Sequence, residues 1–185
     1  MPRLFKHLAL TALLVFTSAL SSMAMAGDTL QRVIDFKTLK VGMSAGQPPF
    51  TMADREGKLM GFDVDLAKAL ANAMHVKLEI KVMPFGDLMQ ALEEEQVDMV
   101  ISGLSITPER AEAASFVGPY MMSGKSILTN DMALAKVSEA GEFNRNDLKL
   151  AALKNSTSSA FVTAAAPEAT LIEIQDYDEG VAMIK

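Results

Sequence analysis

From Lys40 onward the spacing of apolar residues switches repeatedly between a period of two and a period near 3.6, which predicts alternating strands and helices. Residues 39–43 form a short apolar run predicted as a first strand. Val76-Lys77-Leu78-Glu79-Ile80-Lys81-Val82 alternates apolar and polar positions, the pattern of a strand with one buried face. Residues 97–102 are predicted as a third strand. Between the first two, Phe62, Leu66, Ala69, Leu70 and Ala73 recur at helical spacing as a core-facing stripe, with Asp63 placed to cap the helix. Residues 86–95 predict a further helix that turns Leu88, Ala91 and Leu92 inward and ends in a solvated Glu93-Glu94-Glu95. Thr107-Pro108-Glu109-Arg110 starts another: the Thr hydroxyl can cap, Pro suits the first helical position, and an acid in the first turn suits the helix dipole.

A second series begins past Pro119-Tyr120. Residues 126–129 are predicted as a strand, 130–146 as a long polar connection and 148–153 as another strand. Ser156 and Thr157 cap a helix that runs to about Ala165 and is stopped by Pro167; residues 171–174 are extended, and 178–185 begin an amphipathic helix. Strands alternating with helices in this way predict an α/β fold with a largely parallel sheet.

The ends change the picture. Arg3, Lys6 and His7 precede an apolar run, residues 8–20, too short to span a bilayer comfortably, and Ala24 and Ala26 supply the small residues that a signal peptidase reads. Residues 1–26 are therefore expected to be a secretory signal cleaved before Gly27, with no Cys after the cleavage site to mark a lipoprotein. An uncleaved anchor would want a longer apolar run. The mature chain would carry 15 basic against 23 acidic residues, about −8, which disfavours nucleic acid as a partner. With no Cys and only two His residues, a disulfide framework, thiol catalysis and a zinc centre are excluded, and no cofactor is expected.

Four pieces in order carry a resemblance: Gly61-Phe62-Asp63-Val64-Asp65-Leu66-Ala67 after the Pro49-Phe50 turn; Val97-Asp98; Ser102-Gly103-Leu104-Ser105-Ile106-Thr107-Pro108-Glu109-Arg110; and Phe116-Val117-Gly118-Pro119-Tyr120. Joined by Asp147-Leu148-Lys149-Leu150, they resemble the family 3 bacterial solute-binding proteins, over residues 39–185. The resemblance implies a two-lobe, type II periplasmic-binding-protein-like α/β fold whose lobes close about a hinge on an amino-acid-like ligand, before docking on the membrane subunits of an ABC transporter. It places a first lobe at 27–120, a partial second lobe with the hinge at 121–185, and the hinge itself near 120–125. Relative to the family the chain is expected to lack the C-terminal return segment of the first lobe and the rest of the second, including the acid that usually meets the ligand's ammonium. The expected product is a periplasmic monomer.

Arg110 is the first candidate contact, because a guanidinium fork matches a carboxylate and the first turn of a helix places it beside free N–H groups. Position alone allows a solvated helix Arg; the family uses the matching Arg for the ligand's α-carboxylate. Gly103 and Ser105, at the C-terminal end of a strand, offer a carbonyl, an N–H and a hydroxyl. Ser156 and Thr157 stand where the family contacts the carboxylate from the second lobe, although Asn155 replaces the usual Gly. Phe85 is either the aromatic wall of the site or ordinary core. Ser44-Ala45-Gly46-Gln47 departs from the acidic and aromatic residues that many members carry there, so the ligand is not named by the pattern. Asp63 and Asp65 form a carboxylate pair that a helix start explains without catalysis. Two other readings stay open: a cyclohexadienyl or arogenate dehydratase, for which no added acid stands in the matching region, and a sensor domain of a larger receptor.

Overall fold

The computed structural model describes residues 28–184; the expected signal segment lies outside them. At the centre of the first α/β unit is β1 (Thr38–Met43), with Leu39, Val41 and Met43 buried on one face. β5 (Lys77–Val82) pairs with it in parallel, setting Leu39 opposite Leu78 and Val41 opposite Ile80, and β6 (Met99–Val100) pairs in parallel on the other side. Parallel neighbours need crossovers, and α2 (Phe62–Ala73) and α3 (Leu88–Glu93) supply them. On the second face of β1, a Cβ on Gly42 would meet Leu88, Val97 and Val100 at 3.3–3.5 Å, so a glycine lets α3 lie close to the sheet.

The buried face of α2 is not the expected stripe. Asp63, Val64, Ala67 and Ala71 are buried, Leu66 and Leu70 are partly so, while Phe62, Ala69 and Ala73 are exposed. The helix start explains the shift. Gly61, at φ +126, lies so close to the preceding turn that the Phe62 and Asp63 N–H groups donate to the carbonyls of Pro49 and Phe50 at 3.1 and 3.0 Å. Backbone thus caps α2, and Asp63 is turned inward rather than serving as the cap.

Three further differences have local causes. α1 (Asp28–Phe36), absent from the sequence-based reading, packs Val33 into the core, and its Arg32 pairs with Asp98, which also accepts the Lys40 N–H at 2.8 Å. Residues 44–60 fold into an antiparallel sheet of β2 (Gly46–Gln47), β3 (Thr51–Ala53) and β4 (Leu59–Met60), strands too short for periodicity to reveal. Residues 126–129 form no strand; Ile127 and Leu128 are 46% and 66% exposed, and no described strand lies beside them to take their backbone bonds.

After a short helix, α4 (Pro108–Ala113), and the long irregular connection, the second α/β unit pairs β7 (Lys149–Leu153) with β8 (Thr170–Ile174) in parallel across α5 (Thr157–Ala165) and ends in α6 (Tyr177–Ile184). Leu153 and Ile174 of this unit share a buried cluster with Phe85 and Leu88 of the first. That cluster is the apolar junction between the units, and it lies immediately beneath the candidate site. No helix among the described residues is long and apolar enough to cross a membrane.

Candidate functional site

The loop that follows β6 and the turn that precedes α5 meet at Arg110. Thr107 caps α4 as expected, its hydroxyl accepting the Arg110 N–H at 3.3 Å, so that N–H is engaged and the guanidinium is the cation the helix start presents. Nη1 donates to the Ser105 carbonyl at 2.9 Å and Nη2 to the Asn155 carbonyl at 2.8 Å, one from each unit. The guanidinium carbon lies 5.8 Å from the centroid of the Phe85 ring, a cation–π arrangement that sets the fork over an apolar surface. Burial pulls the Arg110 pKa down from its ordinary value and the Glu109 charge opposes the shift; the group stays a cation at any physiological pH.

Phe85 is only 6% exposed and belongs to the cluster that joins the units, its ring packed in the core with the Arg110 guanidinium over it. A hollow of about 240 Å³ beside it is lined by Leu104, Arg110, Asn155, Met89 and Glu93. A larger open hollow of about 580 Å³, over Lys40, Lys81 and Gln96, holds none of the expected ligand contacts.

Gly103 and Ser105 lie on the same loop but do different things. The Ser105 carbonyl holds Arg110, whereas Gly103, at φ +56, donates its N–H to Asp63 at 2.7 Å and to the Tyr120 hydroxyl at 3.0 Å. Ser156 caps α5, its hydroxyl accepting the N–H groups of Ser158 and Ser159 at 3.2 and 3.1 Å, and Thr157 opens the helix next to it. Arg110, Ser105 and Phe85 are thus gathered in direct contact; Ser156 and Thr157 follow Asn155, whose carbonyl reaches Arg110.

Two residues escaped the sequence-based reading of the site. Asp63 is fully buried, and burial raises its carboxyl above the ordinary value against the lowering effect of bonds from Tyr120 and Gly103. Tyr120 stacks on Phe62 at 5.8 Å and is pushed up to about 12 by burial and by the Asp63 charge. The signal for Asp63 was present on the helical wheel, where it shares a face with Val64, Ala67 and Ala71. Nearby, Ser44, Ser102 and Gln47 bond to one another at the ends of β1 and β6, the Ser44 hydroxyl lying 3.0 Å from both others. Among the described residues no group of three or more His, Asp or Glu is placed to hold a metal ion.

Comparison with known proteins places this arrangement. The model of the bacterial extracellular solute-binding proteins, family 3, matches residues 39–165. A probable amino-acid ABC transporter-binding protein of Haemophilus influenzae is 36% identical over 124 residues, 67% of this chain and 48% of its own length. A cyclohexadienyl dehydratase of Pseudomonas aeruginosa is 34% identical over 131 residues, 70% of this chain and 48% of its own. The crystal structure of an ancestral amino acid-binding protein, AncCDT-1, a precursor of cyclohexadienyl dehydratase, superposes with a TM-score of 0.79 at 33% identity, covering 84% of this chain and 69% of that one. The chain spans about half the length of the curated relatives it matches.

Proposed function

The chain belongs to the bacterial extracellular solute-binding proteins, family 3, and carries their two-unit, type II α/β fold; from that premise we propose that it captures an amino acid or similar small polar molecule in the periplasm for an ABC transporter. Export through a cleaved signal at residues 1–26 and docking on the transporter's membrane subunits belong to this reading. The observation that carries it is the placement of Arg110, a cation held over Phe85 where the two units meet, with its fork turned to main-chain carbonyls of both. A ligand α-carboxylate suits that fork better than neutral carbonyls do, because both of its oxygens can accept and the bonds are charge-assisted on both sides. Ser105 and Gly103 from the first unit and Ser156 and Thr157 from the second complete the proposed contact set, with Phe85 as its wall. The 120–125 stretch is the proposed hinge: Tyr120 is tied to Gly103 of the first unit, while the Lys125 ammonium lies 5.8 Å from the ring of Phe161 in the second. Closure about such a segment is the motion expected of a two-lobed binder.

Calorimetric titration of the full-length mature protein against the standard amino acids tests the reading. Arg110→Ala should weaken binding by about 2–5 kcal/mol, the range for truncating one partner of a buried, hydrogen-bonded charge pair. Unchanged affinity would sink the site assignment. A second reading is favoured by one relative, the Pseudomonas dehydratase: turnover on the same scaffold. Product formation from prephenate or arogenate would establish it, and reversible binding without product would remove it.

A further inference from the structure

Asn155 stands between β7 and α5 with φ +55, a left-handed conformation that Asn and Gly tolerate and most residues do not. That backbone path does two things at once. It aims the Asn155 carbonyl at Arg110 Nη2, 2.8 Å away, and it carries the side-chain amide back to the first unit, where Nδ2 donates to the Gly86 carbonyl at 3.0 Å. The units meet here backbone to backbone, since a Cβ on Gly86 would lie 3.1 Å from the Lys154 carbonyl oxygen. Below this contact Phe85 and Leu88 pack on Leu153 and Ile174, so the polar bonds sit on an apolar floor that braces them.

We propose that Asn155 is an affinity-determining residue of this protein: it latches the two units to each other and, with its own carbonyl, competes for Nη2 of the Arg110 fork against an incoming carboxylate. Nη1 is held by Ser105 and Nη2 by Asn155, two of the guanidinium's five N–H donors, so a carboxylate approaching across the two Nη atoms competes with main-chain carbonyls for the fork. Charge assistance lets the carboxylate win that exchange. The latched population nevertheless lowers the observed affinity in proportion to its share, as any competing closed state does. The amide bond to Gly86 is the adjustable part, because it is made by the side chain: a Gly at this position would keep the backbone path and the carbonyl and lose the amide. The competition for a carboxylate rests on the role proposed for Arg110; the latch between the units does not.

The chain has no Cys, so paired spin labels introduced by Lys68→Cys on α2 and Glu168→Cys before β8 report the distance between the units without background. With no amino acid added, a short, narrow distance distribution is expected, becoming longer and broader on Asn155→Gly and on Asn155→Asp. Both substitutions tolerate the left-handed backbone, and the second keeps the side chain's size while replacing the donor with an acceptor. Identical distributions in all three proteins, with unchanged circular dichroism, would overturn the latch. Titration with L-arginine as the carboxylate probe should then show both variants binding about three- to tenfold more tightly, the scale of one net hydrogen bond. Equal or weaker binding by variants that have opened would overturn the competition. Failure of all three proteins to bind any amino acid would instead count against the proposed function, while the distance measurement would still decide the latch.

Discussion

In the first unit Leu39, Val41, Met43, Val64 and Ala67 are sealed by their own neighbours on β1, α1 and α2, whereas in the second Leu153 and Ile174 are covered by Phe85 and Leu88 of the first. Among the described residues the first unit has a central strand paired on both sides, and the second has two strands paired only with each other. A two-stranded sheet with one crossover helix buries little apolar area of its own, and such pieces are marginal alone. Among the described residues the difference predicts that the second unit leans on the first as a scaffold, with the candidate site at the contact where that leaning occurs.

The largest expected effect breaks the scaffold. At Gly61 a Cβ would fall 2.3 Å from the Phe50 carbonyl oxygen, and the φ of +126 is itself forbidding to a side chain. Because the obstacle is backbone, no rotamer change relieves it. Gly61→Ala should cost about 4 kcal/mol or more, in the range reserved for special-φ and backbone clashes. Chemical denaturation should show it, and hydrogen exchange should show both units losing protection together. Protection retained in β7 and β8 would mean that the second unit stands alone and that the comparison is wrong.

A smaller effect sharpens the comparison at the junction. Leu88 is fully buried beneath Phe85 and against Gly42 of β1, so Leu88→Ala should cost about 2–5 kcal/mol through lost burial and the cavity left behind. If the second unit depends on the first, exchange should accelerate in β7 and β8 by more than in β1 and β5, whose own core of Val41, Val64 and Ala67 is untouched. Equal acceleration everywhere would describe one cooperative body instead of a scaffold and a dependent.

The same asymmetry governs how much was legible in the sequence. Long periodic segments spoke for themselves: the alternation at 76–82 is β5, and Ser156 caps α5 as its hydroxyl at a helix start implies. Arg110, singled out as the first candidate contact, bonds to the Ser105 carbonyl and lies over the Phe85 ring. What stayed hidden depends on partners far along the chain. The turn of α2 was misread because an Ala-rich helix has several nearly equivalent apolar stripes, and the backbone of Pro49 and Phe50, not a side chain, decides which face is buried. The apolar run at 126–129 has strand composition but no strand beside it. Asn155 was visible as a departure from the family's Gly; that its amide reaches Gly86 follows only from the fold.

The smallest expected effect concerns Asp63, the buried carboxylate through which α2 holds the Gly103 turn and, two residues on, the carbonyl that orients Arg110. Burial is the largest influence on it and raises its pKa, outweighing the bonds from Tyr120 and Gly103; one carboxylate oxygen has no hydrogen-bond partner among the described residues. The sign follows from linkage. A carboxyl that binds its proton more tightly folded than unfolded contributes stability that is fully present below the unfolded value of 3.8 and is lost as pH rises through the folded value. Asp63→Asn keeps an acceptor for the Gly103 N–H and removes the charge, so it should lack that loss. The stability of the native chain relative to the Asn variant is therefore expected to fall as pH rises from below 3.8 through the raised folded value and to level off beyond it, with β6 and its following loop the region whose exchange rates follow the change. A stability difference that does not vary with pH, or one that grows in favour of the native chain as pH rises, would mean that the bonds to Gly103 and Tyr120 outweigh burial and that Asp63 strengthens the scaffold as a charge.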